Sequence, residues 1–381
     1  MEEIGRKRLA TVGVALAGIA YFLVCAVPLQ KELLLVPVWS RSIAPAGGSA
    51  EVSPQPAGPK PAASKAQPAP PQAAPSGNSA DPPLAFRLGD RFGYFTDDGR
   101  ILFVESASYG VTQAPDAYAT YDRLSEGFTI RSPSGTELAR VSAPGYPFFA
   151  AGRRFIIGPD QATVSELSGN GSIAWTYQFP AVVTAFDASP SLALFGLMDG
   201  TMVGFDRSGA VVLDFAPGGS RIAGVYGVAV SPDGLLAAAI TGADKQRLVV
   251  LEKRSTAYRV TYHRYLASDY RRPVSMAFTE DGRKLAYEST AGIGIYDRAA
   301  RDEYVIAVPA QPRLGQVARG GELMVFLSSS GGKKRFICTA SPDRRVADLS
   351  LDAERAFVIA KGDSVFLGLD DKIVRMDLAV R

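Results

Sequence analysis

Val228-Ala229-Val230-Ser231-Pro232-Asp233-Gly234 runs straight into Leu235-Leu236-Ala237-Ala238-Ala239-Ile240, and the reading of this junction decides the architecture. An apolar β-type run meets a tight turn, because Pro232 presets its φ, Asp233 caps the backbone and Gly234 tolerates positive φ. Further along, a turn lies around Ala243 and Asp244, followed by the run Leu248 to Leu251, a polar break, and the alternating run Tyr258 to Leu266. Gly224 to Leu266 therefore reads as four strands joined by three turns. The plan recurs over Val274 to Val308: Ser275 to Phe278, the turn Thr279-Glu280-Asp281-Gly282, then Lys284 to Glu288, Ile293 to Tyr296 and Tyr304 to Val308.

Marking the first turn of each unit gives positions near Asp98, Ala151, Pro190, Asp233, Asp281, Gly320 and Ala353. Their mean spacing, roughly 42 residues, is the period of four-stranded propeller blades, about 40 to 50. The expected fold is all-β, a β-propeller of about seven four-stranded blades over residues 84–381, with six or eight blades left open. Turns at Pro133 to Gly135, Ser168 to Gly171, Ser208 to Gly209 and Ala299 to Arg301 fall where later strands return. The extra length of the first unit, Ala107 to Gly127, reads as a Tyr-bearing loop insertion. Register is weakest in the last two units, where Arg345 to Leu349 and Asp348 to Leu351 compete for the same residues.

These residues resemble a known superfamily. Ser231-Pro232-Asp233-Gly234 with Ala238, followed by Leu248 to Leu251, resembles the Ser-Pro-Asp-Gly-x-x-x-Ala signature of bacterial WD-repeat-like propellers. Thr279 to Ala286 repeats it with Thr279 and Glu280 in place of serine and proline. Ser168-Gly169-Asn170-Gly171-Ser172-Ile173-Ala174-Trp175 is similar to the Gly-x-x-x-Trp repeat of quinoprotein-type propellers, including the propeller that assists outer-membrane protein assembly. Arg207 to Phe215 keeps the glycine and the turn and lacks the tryptophan. Trp-Asp and Gly-His dipeptides are absent. The resemblance covers Leu84 to Arg381 and implies a fold.

Composition narrows the function. In 381 residues, 47% hydrophobic and 21% charged, there is enough apolar material for a core. A net charge of +3 excludes a strongly basic nucleic-acid binder. One histidine, His263, argues against a histidine-rich metal site, and Cys25 with Cys338 makes neither a disulfide framework nor a cysteine-type zinc site.

Leu9 to Val27 is 19 residues without a charge, long enough at about 1.5 Å per residue to span a bilayer core, and Arg6, Lys7 and Arg8 precede it. The positive-inside rule puts a stub, 1–8, in the cytoplasm, a signal-anchor helix at 9–28, and the remainder on the periplasmic or extracytoplasmic side of the inner membrane. A cleavable signal peptide is the rival reading, from Gly18 and Ala20, although Tyr21 to Val27 continues the apolar run. Residues 29–41 read as a juxtamembrane segment, with Leu33 to Trp39 at the far headgroup layer and Trp39 at the interface. Residues 42–83, rich in proline and alanine, read as a disordered stalk that carries the propeller away from the membrane.

Catalytic signals are missing. Quinoprotein enzymes need stacking aromatics, a calcium site and usually a vicinal cysteine pair, whereas the domain holds one tryptophan, Trp175, and one cysteine, Cys338, so no cofactor, no metal and no catalytic residue is expected. His263 sits in an alternating run with no Gly-x-Ser-x-Gly elsewhere. Asp98, Asp233 and Asp281 sit in turns, where a carboxylate caps backbone N–H groups. The candidate protein-binding surface is Tyr258, Arg259, Tyr262, Arg264, Tyr265, Arg271 and Arg272, because tyrosine and arginine supply most binding hot spots. It is expected on the outer strand of the fourth blade and its link to the fifth. The expected function is a non-catalytic interaction scaffold, anchored in the membrane by one N-terminal helix and partnered by another envelope protein rather than nucleic acid. The alternative is a propeller that binds a small ligand or cell-wall glycan, with or without catalysis.

Overall fold

The structure, a computed structural model, describes residues 32–43, 81–123, 126–308, 313–320, 323–330, 333–340 and 344–380. Strand β1 (Leu33–Ser42) comes first. Blade 1 is β2 (Leu84–Leu88), β3 (Arg91–Phe95) and β4 (Ile101–Ser106). Blade 2 is β5 (Gly110–Ala114), β6 (Ala117–Tyr121), β7 (Phe128–Arg131) and β8 (Glu137–Val141). Blade 3 holds β9 (Tyr146–Ala150), β10 (Arg153–Ile157), β11 (Thr163–Leu167) and β12 (Ile173–Gln178). Blade 4 follows with β13 (Val183–Ala188), β14 (Ala193–Leu197), β15 (Met202–Phe205) and β16 (Val211–Phe215). Blade 5 comprises β17 (Val225–Val230), β18 (Leu236–Thr241), β19 (Arg247–Arg254) and β20 (Ala257–Tyr265). In blade 6 the strands are β21 (Met276–Phe278), β22 (Lys284–Ser289), β23 (Gly292–Asp297) and β24 (Asp302–Ala307). Blade 7 has β25 (Arg313–Gly320), β26 (Leu323–Ser330), β27 (Lys333–Ala340) and β28 (Arg344–Leu351). Blade 8 is β29 (Ala356–Lys361), β30 (Ser364–Leu369) and β31 (Lys372–Val380), completed on the outside by β1.

First strands meet from blade to blade, β2 on β5, β5 on β9, β13 on β17, β17 on β21 and β25 on β29, and β29 of the last blade meets β2 of the first, which closes the ring. The middle strands explain why the sequence runs apolar without alternating. In β18 every residue is buried: Ala237 and Ala239 pack toward blade 4, while Leu236, Ala238 and Ile240 pack toward blade 6. A strand covered on both faces needs apolar residues at every position.

The Ser-Pro-Asp-Gly junction folds as its chemistry dictates. Ser231 Oγ donates to Asp233 Oδ1 at 2.5 Å, Leu235 N–H donates to the same oxygen at 2.9 Å, and Gly234 takes φ +72°. Thr279 and Asp281 repeat the arrangement, with Gly282 at φ +67°. In the tryptophan-bearing unit, the Trp175 ring stacks on Phe205 of blade 4 at 5.1 Å, so the motif's aromatic clamps one blade to the next.

Three expectations are corrected. The ring has eight blades rather than about seven, because Ala107 to Gly127 is no loop insertion: it contains β5 and β6, a hairpin around Pro115-Asp116. At the other end, Ala353 is not a first turn and lies between blades 7 and 8. Leu33 to Trp39 is not an interfacial segment but part of the ring, so the propeller starts at β1 and not at Leu84. Trp39 donates from Nε1 to the Asp97 carbonyl at 3.0 Å and packs against Phe95 and Phe366. Pro37 is tolerated because β1 is an edge strand with a bulge between Pro37 and Trp39, where a missing N–H costs no ladder bond. The expected helix at 9–28 and most of the expected stalk lie outside the described residues. No helix of the described residues is long and apolar enough to cross a membrane.

Candidate functional site

The Tyr/Arg set belongs to the outer strand of blade 5, not blade 4, and to its link with blade 6. Plain alternation puts Tyr258 and Tyr262 on one face. A bulge breaks that pattern: Val250 pairs with Tyr262 and Leu251 with Val260, so Thr261 is the extra residue. Tyr258 consequently packs toward blade 4 and Tyr262 toward blade 6.

Facing blade 6, Tyr262 stacks on Tyr296 at 4.0 Å and donates to Glu303 Oε2 at 3.0 Å. Glu303 Oε1 accepts from Tyr287, and Arg264 pairs with the same carboxylate at 3.4 Å. Two hydroxyls and a guanidinium thus converge on one carboxylate whose side chain is 7% exposed. Arg272 is tied in a similar way: it pairs with the buried Glu288 and lies 4.3 Å over Tyr270. On the other face, Tyr258 donates to the Gly234 carbonyl at 2.6 Å. Four of the seven residues, Tyr258, Tyr262, Arg264 and Arg272, are therefore engaged with the ring, Tyr262 and Arg264 across the seam to Glu303 of blade 6. Arg259, Tyr265 and Arg271 are exposed, with the exposed His263 beside them, and Arg259 and Arg271 make no ion pair among the described residues. Tyr265, at 52% exposure, carries Arg247 over its ring.

Burial, followed by the nearby Asp233, pushes the Tyr258 hydroxyl up to about 12, and burial followed by the Glu303 contact does the same for Tyr262. An unfolded tyrosine ionises near pH 10. The stability these protonated hydroxyls contribute is complete below about pH 10 and is lost as pH rises through about 12. A Tyr258→Phe/Tyr262→Phe variant should lose less stability over that interval than wild type in alkaline denaturation. Equal losses would contradict the assignment.

A cavity of about 360 Å³ opens on the central channel, between the first strands of blades 4, 5 and 6. Thr184, Phe186, Tyr226, Val274 and Met276 line it, and none of its lining residues carries a charge. Thr184 Oγ1 already has the Val225 carbonyl as its acceptor at 2.6 Å, with the Gly196 carbonyl also in reach at 3.0 Å. A second cavity, about 450 Å³, lies at the rim of blade 3 beside Arg153, Glu166 and Arg207. There Arg153 holds Glu166 in a fork, Nε to Oε1 at 2.8 Å and Nη2 to Oε2 at 2.6 Å, with Trp175 Nε1 donating to Oε2 at 2.9 Å. Arg153 also reaches the Asp206 carbonyl at 3.1 Å, linking blades 3 and 4. Sequence reasoning missed this pair; the signal was a charged residue at the start of one apolar run and another inside the next.

Two ionisable groups singled out in the sequence, Asp98 and Cys338, have structural surroundings that shift them. Asp98 accepts from Thr96, which with neighbouring backbone N–H groups holds its carboxyl below the usual range. Cys338 is buried, and burial pushes its thiol up to about 12. Among the described residues no group of three His, Cys, Asp or Glu side chains is placed to hold a metal ion.

A family model described as beta-propeller protein matches residues 1–380. An uncharacterized protein of Treponema pallidum (strain Nichols) is 28% identical over 370 residues, 96% of this chain and 92% of the relative. Among solved structures, BamB from Moraxella catarrhalis superposes with a TM-score of 0.54 at 13% identity, covering 77% of this chain and 96% of its own. The computationally designed Ika8 protein superposes with a TM-score of 0.57 at 14% identity, covering 78% of this chain and 94% of its own. At these identities the structural likeness shows the fold alone.

Proposed function

The chain belongs to this family of β-propeller proteins, and from that premise we propose that it serves as a non-catalytic protein-interaction platform in the bacterial envelope. The observation that carries the reading is the outer rim of blade 5, where Arg259, His263, Tyr265 and Arg271 are exposed beside Tyr262, Arg264 and Arg272, which are engaged with Glu303 and Glu288. A rigid ring presents such side chains without needing to move, which keeps the entropy cost of binding low. The uncharged lining of the channel cavity favours this reading over glycan chemistry there, which draws on paired carboxylates.

The apolar run Leu9 to Val27 is proposed as the anchor in the inner membrane, with the ring on the periplasmic side. Five residues, 28–32, then separate the anchor from β1. At about 3.5 Å per residue they reach on the order of 17 Å at most, so the outer edge of blade 8 is held close to the bilayer. The Pro/Ala tract follows β1 in sequence and joins it to blade 1, so it cannot be the tether that lifts the ring.

The test is crosslinking and co-purification from membranes, comparing wild type with an Arg259→Glu/Tyr265→Ser/Arg271→Glu variant. These exposed substitutions should leave folding stability within about 0.5 kcal/mol each. Loss of a specific envelope protein from the variant is the expected result. An unchanged set of partners would retire this rim, and an absence of any specific partner would favour the small-ligand alternative at the channel.

A further inference from the structure

We propose that two copies of the chain pair through strand β4, edge to edge across a twofold axis, so that blade 1 of each gains a fourth strand from the other. Seven blades have four strands and blade 1 has three, leaving β4 outermost among the described residues. β4 is Ile-Leu-Phe-Val-Glu-Ser, preceded by Arg100, and Leu102 is 38% exposed. A free apolar edge of this kind is a template for another strand.

The backbone fixes which groups face outward. The Arg100 carbonyl accepts from Thr96 N–H, and Ala107 N–H donates to the Asp90 carbonyl, so both point inward. Alternation from each end then turns Ile101, Val104 and Ser106 outward. The bulge at Leu102, where Phe103 pairs with Tyr94 and Ile101 with Phe95, reconciles the two counts. It also puts Ile101 and Val104 on one face, packed toward blade 8, and Arg100, Phe103 and Glu105 on the other.

One register satisfies both constraints in a twofold pair. Ile101 opposes Val104 of the second copy, with outward N–H and C=O groups meeting, and Arg100 opposes Glu105, each pair occurring twice. Neither Arg100 nor Glu105 has an ion-pair partner among the described residues. A register centred on Glu105 would instead set like charges against each other, which destabilises cross-strand pairs. Because the axis is twofold, the patch is complementary to itself, as an isologous contact requires. The added strand lies about 4.8 Å beyond β4, the position a fourth strand fills elsewhere in the ring.

The test uses the full chain in detergent, followed by sedimentation equilibrium. Wild type should dimerise, Glu105→Arg alone or Arg100→Glu alone should weaken the dimer by at least about tenfold, and the Arg100→Glu/Glu105→Arg swap should restore it. A second measurement mixes an Arg100→Cys chain with a Glu105→Cys chain, both on a Cys25→Ser background. Opposed residues that do not share hydrogen bonds lie about 4.5 Å apart at Cα, within disulfide reach, so the mixture should crosslink and neither chain alone should do so efficiently. A monomeric wild type overturns the proposal. So does a dimer indifferent to both charge reversals, the result expected if the apolar N-terminal run drives association. The platform reading stands or falls separately, on the blade 5 rim.

Discussion

A chain beginning at residue 44 is expected to lose cooperative melting and to aggregate, whereas one beginning at Glu32 should keep both ring and melting temperature. The difference is β1. It pairs antiparallel with β31 from Leu33 opposite Val380 to Ser42 opposite Lys372. Leu33 and Leu35 pack on the core shared by blades 7 and 8, while Trp39 and Ile43 pack on the core shared by blades 8 and 1. Ile43 is 2% exposed, and its N–H donates to the Asp371 carbonyl at 2.7 Å. Losing Trp39 and Ile43 alone costs about 5 kcal/mol, taking the low end for each large-to-small change, and a whole domain is stable by only about 5–15 kcal/mol. The truncation also bares β31 as an unprotected edge. A synthetic peptide spanning Leu33 to Ile43, added in trans, should restore melting, and a scrambled peptide should not. A truncated chain that melts like wild type would show that the ring closes without this strand.

Glu166→Ala should be the most damaging single substitution considered, at about 3–5 kcal/mol, the cost of leaving a buried charge without its partner. The Arg153 side chain is fully buried and that of Glu166 is 8% exposed. Removing the carboxylate strands two guanidinium donors and the Trp175 N–H at once, and Arg153 Nη1 has no hydrogen-bond partner even in the intact protein. A melting temperature lower by about 10 °C is the expected reading. The pair itself contributes less than its breakage costs, since desolvation offsets its attraction. Arg153→Met combined with Glu166→Leu should therefore recover much of the loss. A double variant no more stable than Glu166→Ala would place the cost in local packing instead.

Blades 5 and 6 could be read strand by strand because their signals are local: an Asp-Gly turn with its Ser or Thr partner, followed by a strand apolar at every position. Blade 2 escaped because, Val111 apart, Gly110–Ala114 and Ala117–Tyr121 carry Gly, Thr, Gln, Ala and Tyr where the other blades have Val, Ile and Leu, and burial of Ala117, Tyr118 and Ala119 is set by neighbouring blades. Leu33 to Trp39 looked like an interface because it follows an apolar run, and its true partner lies more than 330 residues away in sequence. At the candidate surface, the residue types were readable and their directions were not. A one-residue bulge at Thr261 sent Tyr262 and Arg264 into the seam with blade 6, and alternation counted along the sequence cannot detect it. The residues left outside that seam, Arg259, Tyr265 and Arg271, with Arg264 still largely exposed at its edge, form a smaller surface than the sequence promised.

The pairing of β1 with β31 also sets a timetable for the newborn protein. Strand β1 must wait for β31, which lies far along the chain, so the circle cannot be completed until that distant strand has been made. Closing so long a span is slow, as expected for a fold whose decisive contact is so distant along the chain. Throughout that delay Leu33, Leu34, Leu35 and Val36 form an apolar strand without a mate. The yield of correctly closed molecules should therefore respond to elongation rate and to anything that shields β1 during the wait.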